Sequence, residues 1–154
     1  MPALTQKQIA EFQRDGVLVV PDAVSPDLLT RLQQDFADWV EQSRQHDQPF
    51  GETINQRPRF DLDAEHSANR PGLRRVNAPI EVSQAYYEAM ADSPMTDFVA
   101  SLIGPNVKFH HSKINSKLPG GHTAVKCHQD CPFTRHSNDD VITSRFMVGE
   151  GTID

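Results

Sequence analysis

The stretch "KCHQDCPF", residues 126–133, sets His128 and Asp130 two positions apart and brackets them with the chain's only two cysteines, Cys127 and Cys131. Imidazole and carboxylate side chains both ligate divalent metals, so the type of element that carries them decides the chemistry. On a β-strand, residues two apart project from one face, about 6 to 7 Å apart along the backbone. His128 and Asp130 could then converge on one metal, while Cys127, Gln129 and Cys131 point the other way. A His-x-Asp pair of this kind is the first part of a 2-His-1-carboxylate facial triad, which leaves three cis positions open on Fe(II). A zinc site would instead draw on Cys127, Cys131 and two of His122, His128 and His136, a spacing better suited to a loop. The plainest alternative is a hydrogen-bonded histidine in a polar strand, and on the tripeptide alone that reading is the favoured one.

The elements that must position this pair are partly legible. Thr5 with Gln8 makes a capping box and Gly16 a C-terminal stop, which predicts a helix over 6–14. The β-branched run "VLVV" at 17–20 predicts a strand that Pro21 and Asp22 terminate. Ser25 and Pro26 then open an amphipathic helix reaching about Arg44, with Leu29, Leu32, Phe36, Trp39 and Val40 at helical spacing. That stripe is read as core packing.

Residues 45–79 show neither helical nor strand period and read as a long loop, in which Arg74 and Arg75 form either a solvated basic turn or a hold on an anionic ligand. Helices are expected near 81–91 and, from the Ser93–Pro94 cap to Gly104, near 94–103. From Pro105 the period changes to two. "NVKFHHSKI" alternates Val107, Phe109 and His111 against Lys108, His110 and Ser112, and after the turn "LPGGHT" the stretch "AVKCHQDCPF" reads as a second strand.

Composition bounds the rest. A chain of 154 residues with 37% apolar side chains fits one domain. A net charge of −6 and no cluster of Lys and Arg argue against a nucleic-acid partner. No apolar run approaches the ~20 residues of a membrane span, and two cysteines four positions apart make no disulfide framework. A soluble cytoplasmic protein is the expectation.

Several segments together resemble the phytanoyl-CoA dioxygenase (PhyH) family of Fe(II)- and 2-oxoglutarate-dependent oxygenases: "FQRDGVLVVPDAVSPDLLTRL", "LRRVNAP", "IGPNVKFHHSKINSKLPGG" and "KCHQDCPFTRHSNDDVIT". The resemblance implies an α+β fold, a double-stranded β-helix or jelly roll wrapped by N-terminal helices. It implies His128 and Asp130 as the first two iron ligands. It also implies cosubstrate-side roles for Asn115 of the "IN-x-K" motif, for Ser112 on the strand lining the same pocket, for Arg75 and for Lys117. His136 would be a pocket-rim residue. The implied reaction consumes 2-oxoglutarate and dioxygen, releases CO2, and hydroxylates an unactivated C–H bond of a small metabolite or acyl-CoA-type substrate.

Two departures qualify the resemblance. Cys127 stands where relatives often carry Trp. The second iron histidine and the arginine that clamps the far carboxylate of 2-oxoglutarate lie further downstream in relatives than Asp154. An eight-stranded jelly roll needs roughly 70 residues, and only 50 follow from Pro105. The expectation is therefore one PhyH-like domain cut short, with residues 1–104 mainly helical wrapping and 105–154 the first strands of the roll. Its exposed sheet edges would favour self-association. A catalytically silent remnant, or a binding module dependent on a partner, is the competing expectation.

Overall fold

A computed structural model of the chain describes residues 3–117 and 140–149. Helix α1 spans Gln6–Asp15; the Thr5 hydroxyl accepts from the Gln8 backbone N–H, the Gln8 side chain accepts from the Thr5 N–H, and Gly16 closes the helix in the left-handed region. Helix α2, Pro26–Ser43, starts at the Ser25 cap with Pro26 in its first turn. It buries Leu28, Leu32, Trp39 and Ser43 along one stripe. Helices α3, Gln84–Ala91, and α4, Pro94–Ile103, are capped by Ser83 and Ser93. All four helices fall within a few residues of expectation, because each is opened by a hydroxyl cap that the sequence displays.

The strands do not follow the sequence reading so closely. β1 (Phe50–Ile54), β2 (Arg57–Leu62), β3 (Leu73–Asn77) and β4 (Lys113–Asn115) form one antiparallel sheet in the order β1-β2-β3-β4. Three of these four strands lie inside the segment read as a long loop and before residue 105, so the helix-then-strand division at 105 is corrected. The missed signal is the hairpin turn. Asn55 and Gln56, with φ of 48° and 66°, link Ile54 to its partner Arg57. Two consecutive positive φ values define a type I′ turn, usually announced by Asn-Gly. Here glutamine takes the glycine position and hides it.

The run "VLVV" forms no strand; Val17 and Val19 are 65% and 84% exposed. β-Branched residues favour a strand only where a partner ladder receives them, and none of the described strands pairs with this run. Likewise the expected strand "NVKFHHSKI" shrinks to its end. Lys113 pairs with Asn77, and the Ala78 N–H donates to Ser112 O as the last bond of the ladder. Beyond it β3 turns away, with Ala78 left-handed at φ 49° and Pro79 lacking an N–H. The face alternation expected for His110 and His111 also fails, since their Nδ1 atoms lie 2.7 Å apart.

The core lies between α2, α3 and one face of the sheet, and includes Leu32, Trp39, Phe60, Leu73, Val76, Tyr86 and Ala89. Trp39 sits 5.8 Å from Phe60 and 5.5 Å from Tyr86 between ring centres, so a single indole joins α2 to both the sheet and α3. Ser83 Oγ donates to the Asp35 carboxylate and Tyr86 Oη to Leu32 O, which satisfies the polar groups at that helix junction.

Gly51 marks the close approach of β1 to β2. Its φ is +85°, and a Cβ there would stand 2.9 Å from Phe60 Cδ2 and 3.2 Å from Arg59 Cβ. Phe60 cannot retreat, being stacked on Phe50 at 4.8 Å on one side and packed on Trp39 on the other. Gly51→Ala is expected to destabilise the fold by roughly 1 to 3 kcal/mol, read as a lowered thermal midpoint; an unchanged midpoint would contradict this packing.

Candidate functional site

With Phe60, Val76 and Ile114 turned to the helices, strand alternation sends their neighbours Asp61, Arg75 and Asn115 to the opposite face. The register confirms their adjacency: Asp61 is paired with Arg75, and Arg75 with Asn115. Arg75 Nε donates to Asn115 Oδ1 at 3.3 Å. Arg74 reaches the same face through a β-bulge. Leu62 pairs with Leu73 while Asp61 pairs with Arg75, so Arg74 is the extra residue. Because of it, Leu73 and Val76 are both buried although three positions apart. Arg74 Nη2 then donates to Asp61 Oδ2 at 2.6 Å. The two arginines are thus strand residues, and the reading of a basic turn is corrected.

Burial, together with repulsion from Arg74 and Arg57, pulls the Arg75 guanidinium below its ordinary value, and Asp61 opposes the shift. Among the described residues, the carboxylate that acts on Arg75, Asp61, is already engaged by Arg74. Arg74 Nε is buried without a hydrogen-bond partner among the described residues.

The structure therefore joins Arg75 and Asn115, which the sequence reading assigned separately to the cosubstrate side. Lys117 is exposed two residues beyond β4, on a segment held by the bond from Ser116 N to Arg74 O. Ser112 is not with them. It alternates with Ile114 toward the helix side of the sheet, and its Oγ is buried without a hydrogen-bond partner among the described residues. Sequence reasoning missed Asp61 and Arg57, whose alternation in "RPRFDL" was obscured by taking the segment as a loop. His128 and Asp130, with Cys127, Cys131, His122 and His136 and the strand and turn expected around them, lie outside the described residues. Among the described residues, no three His, Cys, Asp or Glu side chains converge to hold a metal ion, and no helix is long and apolar enough to cross a membrane.

Comparison with known proteins defines the class. The family model for phytanoyl-CoA dioxygenase (PhyH) matches residues 12–150, and the chain belongs to this family. A curated relative, the probable alpha-ketoglutarate-dependent hypophosphite dioxygenase of Stutzerimonas stutzeri, is 36% identical over 78 residues, which is 51% of this chain and 27% of that protein. The chain is thus aligned to about a quarter of that relative's length. No solved structure matches it.

Proposed function

We propose that the protein is an Fe(II)- and 2-oxoglutarate-dependent dioxygenase, hydroxylating a small metabolite or acyl-CoA-type substrate from a single domain of the jelly-roll kind. Family membership supports the reaction class, and the relative's name extends the substrate range to an inorganic phosphorus oxyanion. The structural observation that carries the reading is the Arg75–Asn115 pair on the sheet face turned away from the helices.

His128 and Asp130 are the protein groups proposed to hold iron. One imidazole nitrogen and one carboxylate are a donor set suited to Fe(II), and iron when bound supplies the activation of dioxygen. The described residues serve the organic acid. A guanidinium offers a carboxylate two parallel N–H donors, and such charge-assisted contacts are among the stronger hydrogen bonds. Asn115 fixes the guanidinium through Oδ1, and its Nδ2 remains a donor for an anionic oxygen. Since only the amide oxygen can accept from Arg75 Nε, the orientation of Asn115 follows from the contact itself.

Arg75→Gln tests the assignment. Loss of one charge-assisted contact, worth about 1.5 to 3 kcal/mol, is expected to raise the 2-oxoglutarate KM by roughly tenfold or more, with a smaller change in the metal requirement. An unaltered KM would remove Arg75 from the cosubstrate side.

A further inference from the structure

Arg75 stands between two cross-strand partners, Asp61 on β2 and Asn115 on β4, and the register sets both directly opposite it. Side chains paired in this way lie within reach of each other. A guanidinium holds a carboxylate about twice as strongly as a neutral amide, so Arg75 left to itself would turn to Asp61. It does the reverse. Arg75 Nε donates to Asn115 Oδ1 at 3.3 Å, and among the described residues no ion pair joins it to Asp61. The reason is Arg74. Counted on from the Leu62–Leu73 pair, a regular ladder would set Arg74 opposite Asp61 and turn Arg75 to the helix side with Phe60. The bulge instead brings two arginines to one carboxylate. Arg74 Nη2 holds Asp61 Oδ2 at 2.6 Å, with the Asp61 side chain only 21% exposed. Arg59, on the same alternation of β2, is closed on Glu52 and Glu81, so Arg74 and Arg75 are the neighbours that contest Asp61.

We propose that Arg74 is a positioning residue for cosubstrate binding: by holding Asp61 it keeps the Arg75 guanidinium off that carboxylate and leaves it, fixed by Asn115, to the carboxylate of 2-oxoglutarate. The role of Arg75 toward 2-oxoglutarate rests on the proposed function; the contest for Asp61 rests on register and distance. Arg74 touches no ligand in this account. Its removal frees a carboxylate that competes with the organic acid for the same fork of N–H donors.

The test combines a ligand-free measurement with a binding one, both on the full chain. In the nitrogen-correlated side-chain NMR spectrum, the Arg75 Nε–H signal, assigned by its loss in Arg75→Gln, is expected to shift in Arg74→Gln as Arg75 passes from Asn115 to Asp61. It is expected to return in Arg74→Gln/Asp61→Asn. The dissociation constant of 2-oxoglutarate, titrated anaerobically with Fe(II), is expected to rise about tenfold in Arg74→Gln and to come back to within about threefold of the wild type in the double variant. The double variant removes both partners of the ion pair and strands neither charge, so it carries the test if Arg74→Gln does not fold. An Arg75 signal that stays in place in a folded Arg74→Gln overturns the proposal. So does a loss of affinity of about tenfold in the double variant, which would make Arg74 a ligand contact in its own right. If the signal moves and returns as described in a protein with no affinity for 2-oxoglutarate, or with an affinity that Arg75→Gln leaves unchanged, the cosubstrate reading of Arg75 fails and the hold of Arg74 on Asp61 stands.

Discussion

Arg59→Ala is expected to lower stability by about 2 to 4 kcal/mol, a fall in thermal midpoint of roughly 10 °C for a chain of this size. The Arg59 side chain is only 4% exposed, which is unusual for a charged residue. It donates to Asn77 O at 3.2 Å, Ala78 O at 2.8 Å, Glu52 at 3.0 Å and Glu81 at 2.7 Å. Those partners belong to β1, to the end of β3, to the left-handed residue after it and to the 3-10 turn Pro79–Glu81, so one guanidinium closes the corner where the sheet meets the helices. Burial alone would lower its pKa, but the pairs with Glu81 and Glu52 outweigh burial and raise it. Truncation strands two backbone carbonyls and leaves a cavity, whereas the two carboxylates, 74% and 53% exposed, return to water. Arg59→Lys reaches fewer of these acceptors and should fall between the wild type and alanine. A midpoint within 2 °C or so of the wild type for Arg59→Ala would contradict this account of the corner.

The second large effect is on chemistry. Asp130→Ala is expected to abolish 2-oxoglutarate turnover, measured as succinate formed per iron added, while the thermal midpoint of the metal-free protein stays near that of the wild type. A metal ligand contributes far more than the groups that orient it, and losing an orienting group already costs roughly 10- to 100-fold. Asp130→Glu keeps the carboxylate but lengthens its reach, so partial recovery of succinate is expected there. Full activity in Asp130→Ala would remove this carboxylate from the site.

What the sequence displayed and what it hid divide along a physical line. Helices α1 to α4 announce themselves through local chemistry, since Thr5, Ser25, Ser83 and Ser93 each cap within three residues. Strands depend on distant partners, so Val17 to Val20 have strand propensity but no described ladder, while Arg57 to Leu62 have a ladder under a polar and proline-bearing sequence. The bulge at Arg74 could not be read from the pair "RR", because it exists only relative to Asp61 and Leu62 on the neighbouring strand. For the same reason family resemblance points to Arg75 and to Asn115, 40 residues apart, each by itself, and only the register shows their contact. The same resemblance points to Ser112, and strand parity places it on the other side of the sheet from both.

The central claim is that His128 and Asp130 hold Fe(II) for chelation by 2-oxoglutarate. Anaerobic addition of Fe(II) and 2-oxoglutarate to the protein, followed by visible absorption, tests it most directly, because the metal-to-ligand charge-transfer band forms only when the keto acid chelates bound iron. The account predicts the band in the wild type and in Cys127→Ser, and its loss in His128→Ala and in Asp130→Ala. A band that persists in both ligand variants, or that vanishes in Cys127→Ser while surviving in His128→Ala, would contradict it.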